Sequence, residues 1–488
     1  MRSALRLALP ALLLALPLAA QAPARPLSLD DALRLALPAS EAVGLARADL
    51  RRLRGEEAQA RSEFYPQLTG TATYTRTLAT QFDRGGSSAP DTTVRNFCNR
   101  FTADPTQPVG TRVDSLEAAV ECATRLNPFA AFSNLPFGQK NQYNLGLTAS
   151  QTLFAGGRIR GRSGAARASR ESAEIALTTQ EAQLTLDVTQ AYYNAALADR
   201  LVSIAEGTLA LADTTLEQTR LGRRVGTQAE FDLLRAQVAR DNQRVAVIQR
   251  QADRTVAHLR LRQLLNLPLD QPLALTSTVE DTTLPRVAAL DSLEAAGGPV
   301  DADRRAPVRQ AQKAVEAQEN LLKVARAERY PTVTVTSNYA RIGYPDDLLP
   351  SWGDFVNDWN VALSLRLPLF TGGRIGGSVE AARANLQAQR LRLRQTRERA
   401  QLDSEDAAER LRAAQAQWAA SQGTVEQAER AYAIATIRYR EGISNQTELG
   451  DARLALEQAR ANRATAARDL QVARVRVALQ QDLPLSVQ

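Results

Sequence analysis

The chain has 488 residues but one histidine, two cysteines and a single methionine, the initiator, so it lacks the side chains for a His, Cys or Met metal site. Charged residues make up 23 % and aromatics only 5 %, and the net charge of +7 comes from arginines dispersed among Glu and Asp; such mixing marks solvated helix faces and speaks against a nucleic-acid partner. No window beyond the N-terminus carries about 18 consecutive apolar residues, which excludes a transmembrane helix.

In chain order, Arg2 and Arg6 precede an apolar run from Leu7 to Leu18 and then Ala19-Ala20-Gln21. These are the charged, apolar and small-residue parts of a secretory signal over residues 1–20, too short to span a bilayer. The mature chain is then exported, and with no cysteine at the cleavage region, where Gln21 follows Ala20, a lipid-anchored N-terminus is not expected. Leu27-Ser28-Leu29-Asp30-Asp31 supplies capping residues for a helix running toward Phe64. Tyr65-Pro66 stops it, because proline disfavours helical geometry at the preceding residue. Leu68 to Tyr74 alternates weakly, as a strand does. Residues 79–140, rich in Gly, Pro and Ser, form a long loop containing Cys98 and Cys122, for which an oxidising compartment favours a disulfide.

A second strand follows, with Tyr143, Leu145, Leu147, Ala149 and Leu153 alternating with Asn144, Gly146, Thr148 and Ser150. After Leu153-Phe154-Ala155-Gly156-Gly157-Arg158 no proline interrupts a helix to about Gly222, on the order of 100 Å long. Its apolar positions are mostly small (Ala191, Ala195, Ala198, Ala205, Ala212), which permits close helix–helix approach. The turn Arg220-Leu221-Gly222-Arg223-Arg224-Val225-Gly226-Thr227 reverses the chain into a helix with a seam at Leu234, Val238, Val245, Ile248, Ala252, Val256 and Leu259, ending at Leu267-Pro268. A linker, residues 269–303, is rich in Pro, Thr, Gly and acids.

The order then repeats. Ala60-Arg61-Ser62-Glu63-Phe64-Tyr65-Pro66 returns as Ala325-Arg326-Ala327-Glu328-Arg329-Tyr330-Pro331, closing a helix from about Ala306. Thr332 to Thr336 alternates, and Trp359, Val361, Leu363, Leu365, Leu367 and Leu369 form one face of a second strand. Leu369-Phe370-Thr371-Gly372-Gly373-Arg374 opens another long helix, to about Gly442. The turn Arg438-Tyr439-Arg440-Glu441-Gly442-Ile443-Ser444 leads into a last helix that ends at Leu483-Pro484. Residues 21–268 and 304–488 are therefore two copies of one structural repeat. Tyr65 and Tyr330 stand 265 positions apart, whereas Phe154 and Phe370, and Gly226 and Gly442, stand 216 apart. The 49-residue difference lies in the loop between the first two strands, and long barrel loops face the outside.

The expected fold is thus mainly α with a membrane β part of four strands per chain. An open sheet edge in lipid leaves unsatisfied backbone groups costing several kcal/mol each, and bacterial barrels start at about eight strands. Several copies must share one barrel, and two, three or four would give eight, twelve or sixteen strands. The paired Tyr-Pro elements, the paired Leu-Phe-x-Gly-Gly-Arg elements and the Gly-containing turns, in duplicated order over nearly the whole mature chain, resemble the TolC-type outer-membrane efflux proteins. The resemblance implies a homotrimer with a shared 12-stranded β-barrel in outer-membrane lipid, continuous with a long antiparallel α-barrel in the periplasm. It implies a duct for efflux or type I secretion, docked to a periplasmic adaptor and an inner-membrane pump of RND or ABC type.

By the same resemblance, Glu448 and Asp451 match paired acids that ring the periplasmic entrance; three apart, they project from one helix face. They could equally serve as first-turn acids complementing the helix dipole. Tyr439 and Asp232 match latch positions between neighbouring helices, while Ser444 stands where the family's latch has an arginine. Arg220, Leu221, Gly222, Arg223, Val225, Gly226, Arg438, Arg440 and Gly442 make the two turns candidate adaptor-docking sites, although arginines there also suit helix C-termini. No catalytic constellation, phosphate loop or cofactor motif appears. The competing reading is a periplasmic coiled-coil scaffold without transport.

Overall fold

The computed structural model of the chain describes residues 25–78, 104–125, 140–280, 301–345 and 347–486. The signal segment, residues 281–300 of the linker, and Cys98 with its expected bridge to Cys122 lie outside them. The elements are β1 (Arg25–Leu27), α1 (Leu29–Ala39), α2 (Glu41–Ser62), β2 (Gln67–Arg76), α3 (Val109–Arg125), β3 (Asn141–Phe154), α4 (Arg158–Arg224), α5 (Glu230–Leu264), β4 (Leu273–Leu275), α6 (Ala306–Ala327), β5 (Thr332–Gly343), β6 (Phe355–Arg366), α7 (Arg374–Arg440) and α8 (Gln446–Ala478). No described helix is long and apolar enough to cross a membrane. The chain divides into two compact units, one of Met1–Glu57, Gly164–Glu319 and Arg383–Gln488, the other of Ala58–Ser163 and Asn320–Ala382.

The second of these units is built on an antiparallel sheet in the order β2-β3-β5-β6. Tyr74 lies opposite Tyr143, Leu147 opposite both Gly70 and Tyr339, and Tyr339 opposite Trp359. Because strand side chains alternate, this register gathers Leu68, Ala72, Leu145, Leu147, Val333, Val335, Val361, Leu363 and Leu365 on one face. The other face collects Thr69, Thr71, Thr73, Asn144, Thr148, Thr334, Thr336, Asn338, Asn360 and Ser364. The apolar face is open to solvent: Trp359 is 73 % and Leu363 69 % exposed. Among the described residues β2 and β6 each keep one unpaired edge. β6 stops at Arg366, three residues short of the expected Leu369, because Pro368 has no N–H for the ladder. β3 instead runs on to Phe154 through an irregularity at Thr152/Phe154.

Both Gly-Gly pairs turn strand into helix with positive φ, at 60° and 90° for Gly156 and Gly157 and 57° and 84° for Gly372 and Gly373. The repeated glutamate of each Tyr-Pro element reaches an arginine of the helix that follows: Glu63 to Arg162 at 2.9 Å and Glu328 to Arg374 at 2.7 Å.

α4 and α7 each run 67 residues, and α5 and α8 return from their ends. The expected single N-terminal helix is two, α1 and α2, with Ser40 extended between them. Ser28 caps α1, its hydroxyl accepting from Asp31 N at 3.1 Å. A parallel pairing of β1 with β4, invisible to local periodicity, seats α1 against α4 and α5. Tyr192 anchors it: its hydroxyl donates to Leu27 O at 3.0 Å and accepts from Ser277 N at 3.2 Å. The interhelical core is fine-grained, with Ala195, Ala205, Ala212, Ala464 and Ala467 all buried. Residues 79–140, expected as a loop throughout, include α3.

Candidate functional site

The two helix-reversing turns share one backbone solution. After α4, Thr227 N donates to Gly222 O at 2.9 Å and Gly226 N to Arg223 O at 3.2 Å; after α7, Ile443 N donates to Arg438 O at 2.8 Å and Gly442 N to Tyr439 O at 3.1 Å. These are paired 6→1 and 5→2 bonds around a left-handed glycine, with φ of 82° at Gly226 and 72° at Gly442. The glycines are there for the turn.

Around these turns the two copies differ. Asn445 caps α8 through Oδ1, which accepts from Glu448 N at 3.0 Å. The Glu448 carboxylate also meets Arg438 Nε of the preceding helix at 3.0 Å, with both side chains 46 % exposed. Asp451 is exposed one turn on, so the two acids share the outer side of a helix whose other side buries Leu449, Arg453 and Leu456. Tyr439 is buried with Ala435 and Leu449. Its hydroxyl lies 3.1 Å from Thr219 Oγ1, whose own proton goes to Thr215 O at 2.8 Å, so the tyrosine is the donor.

Tyr439 and Asp232 are thus not brought together by a hydrogen bond among the described residues. Asp232 meets α8 through its main chain: with its amide nitrogen turned toward α5, Gln446 donates to Asp232 O at 3.0 Å and accepts from Ala236 N at 3.1 Å. Ser444 Oγ is buried and has no hydrogen-bond partner among the described residues. Sequence reasoning missed Thr219, Gln446 and Arg453. Arg453 is 9 % exposed and its Nε has no partner among the described residues; burial lowers its pKa, partly offset by Tyr432 and Glu457. A lone arginine at helical spacing from leucines reads as exposed, so nothing local marked it.

The turns themselves are basic and apolar on the outside. Arg220 pairs with Glu217 at 2.5 Å and Arg223 with Glu230 at 3.0 Å. Arg224 and Arg440 are exposed, as are Leu221, Val225 and Ile443. Exposed apolar and cationic side chains on a rigid turn suit docking of a protein partner.

Tyr439→Phe removes one buried hydroxyl without changing the packing and is expected to cost about 1 kcal/mol. The measurement is a double-mutant cycle with Thr219→Val by thermal unfolding; additivity of the two changes would contradict the shared bond.

The family model for outer membrane efflux proteins matches residues 130–267, the later part of the first copy of the repeat, and residues 302–480, most of the second. The chain belongs to the outer membrane efflux protein family. Its place is the outer membrane, with an extension into the periplasm. Among curated relatives it is 28 % identical over 246 residues to the toluene efflux pump outer membrane protein TtgF of Pseudomonas putida, covering 50 % of this chain and 49 % of that one. The chain thus spans about half the length of this relative in the match. The solved outer membrane protein VceC of Vibrio cholerae is 20 % identical, with a TM-score of 0.68 over 93 % of this chain and 96 % of that one. A membrane protein from Pseudomonas aeruginosa gives a TM-score of 0.72 at 18 % identity over 93 % of each chain. At such identities the likeness is one of fold, and it extends over both repeats, sheet and helices alike.

Proposed function

We propose that three copies of this chain close one 12-stranded barrel in the outer membrane and conduct substrates passively outward through it, continuous with a periplasmic helical duct. The observation that carries this reading is the four-stranded sheet with one apolar face, one Thr/Asn face and two unpaired edges. In lipid such edges must pair, and the edges offered are β2 of one copy and β6 of the next. The apolar face then meets lipid and the Thr/Asn face lines a wet lumen, the alternation of a membrane barrel.

Glu448 and Asp451, repeated in three copies, place six carboxylates around the periplasmic entrance and favour cations there. Arg438, paired with Glu448, ties the acid to the α7–α8 turn. The turns carrying Arg220, Leu221, Gly222, Arg223, Val225, Gly226, Arg438, Arg440 and Gly442 receive a periplasmic adaptor, and an inner-membrane pump supplies the energy. The toluene pump named for a relative makes small apolar molecules one class of cargo to try. Fractionation separates this reading from a periplasmic scaffold. A heat-modifiable oligomer in the outer-membrane fraction is the expected result; a soluble monomer in the periplasmic fraction would overturn it.

A further inference from the structure

The loop joining β5 to β6 folds back onto the apolar face of the sheet. Tyr143 lies on that face, and its hydroxyl donates to Leu348 O. Asn141, two residues earlier on the same face, donates from Nδ2 to Asp347 O at 3.1 Å and accepts from the Tyr74 hydroxyl at 3.0 Å. Arg341 is on this face too, by its pairing with Leu145 and Asn357. Its Cζ lies 4.9 Å from the centre of the Trp352 ring, and its Nε donates to Asn357 Oδ1 at 3.0 Å. The loop is therefore pinned at three points to the lipid side of the strand tips.

Two consequences follow for the groups left over. Leu348, Leu349 and Trp352 are 57 %, 81 % and 74 % exposed, a concentration of apolar surface that a solvated loop does not need. The terminal nitrogens of Arg341 have no hydrogen-bond partner among the described residues, and the Asp354 carboxylate of the same loop accepts from Ser351 N at 2.7 Å. Arg341 is thus a guanidinium held by a ring and an amide, with its two terminal nitrogens left over. Tyr74, Tyr143, Tyr339 and Trp359 stand near the same ends of their strands, where aromatic side chains mark a membrane–water interface. A guanidinium held at that level has the fork geometry and the charge for a lipid phosphate.

We propose that this hairpin loop is a binding site for a phosphorylated glycolipid of the outer leaflet. Leu348, Leu349 and Trp352 enter the acyl–headgroup boundary, and Arg341 holds the phosphate. The inference rests on the membrane-barrel reading of the sheet. The test is lipid retention by the purified oligomer in detergent, read by native mass spectrometry with lipid A, with dephosphorylated lipid A and with inorganic phosphate as competitor. Arg341→Gln is expected to lower retention of phosphorylated lipid A about tenfold, as loss of a charge-assisted pair does, and to leave the dephosphorylated lipid unaffected. Equal retention by the variant overturns the proposal, and so does displacement by inorganic phosphate alone, which would make it a free-anion site.

A second readout does not depend on that substitution. In protein carrying Trp359→Phe and Trp418→Phe, Trp352 is the one remaining tryptophan, and brominated phosphatidylcholine in vesicles should quench it. Unquenched Trp352 in an inserted oligomer overturns the loop placement. Failure of the wild-type chain to insert would instead strike at the proposed function.

Discussion

Arg305→Ala lowers the stability of the folded chain by about 3–5 kcal/mol, the scale for stripping one partner from a buried ion pair. Arg305 precedes α6 and is fully buried, donating to Asp403 Oδ2 at 2.8 Å, Ser404 Oγ at 3.1 Å and Ala400 O at 3.3 Å, all on α7. Asp403 in turn receives Ser486 N at 3.4 Å, while Arg476 of α8 donates to Ser486 Oγ at 2.7 Å. One arginine thus joins the end of the linker, the middle of α7 and the C-terminal segment. Removing it leaves a carboxylate that is 11 % exposed facing a void. As a control, Arg47→Ala breaks an ion pair to Glu181 whose partners are 48 % and 38 % exposed, and should cost at most about 1 kcal/mol. The measurement is thermal unfolding by circular dichroism; equal effects of the two substitutions would contradict the account.

The same clasp predicts a pH dependence of definite sign. Burial pushes the Asp403 carboxyl up, but hydrogen bonds from Ser486 and Arg305 and the charge of Arg305 outweigh it and hold the carboxyl below its ordinary range. Glu171, hydrogen-bonded first by Lys313 and then by Arg167, is held down to about 2. Groups with depressed folded pKa contribute stability above their unfolded values, near 4, and lose it as pH falls through the folded ones. Arg305→Ala should therefore flatten the acid limb of the stability curve as well as lower its plateau.

Gly156→Ala should be far more damaging than Gly372→Ala, although the two residues are equivalent by the repeat. Both have positive φ, at 60° and 57°, so both substitutions meet a left-handed penalty of about 1–2 kcal/mol. A Cβ at Gly156 would also fall 2.6 Å from Tyr330 Cβ and 2.9 Å from Ala327 O, whereas at Gly372 nothing lies within 4 Å. The crowding includes backbone that cannot swing away, which adds about 1–3 kcal/mol. Gly156→Ala is expected to deplete the heat-modifiable oligomer in the outer-membrane fraction, and Gly372→Ala to leave most of it. Equal depletion would show that the strand-to-helix joints are interchangeable, contrary to the structure.

That contrast also shows what local sequence carries. The repeated Tyr-Pro and Gly-Gly elements mark strand and helix ends because proline and positive-φ glycine act on the backbone where they stand. The period-2 runs around Leu145 and Leu363, and the uninterrupted run from Arg158, are legible for the same reason. The pairing of β1 with β4, the clasp of Arg305 and the Thr219 partner of Tyr439 join residues far apart in sequence, and no local pattern announces them. Pro368 could have been read as the end of β6, yet the alternation through Leu367 and Leu369 masked it. At the turns, sequence located Glu448 and Asp451 on one helix face but not the Arg438 that pairs with Glu448.

The duct reading is tested most directly by single-channel recording in planar bilayers of the purified wild-type chain beside its Glu448→Ala, Asp451→Ala double variant. The wild type should give discrete, cation-selective steps blocked from the periplasmic side by multivalent cations, and the double variant should conduct with reduced selectivity and reduced block. A wild-type chain that inserts as an oligomer and carries no current would contradict the account at its centre. Unchanged selectivity and block in the double variant would remove these two acids from the entrance.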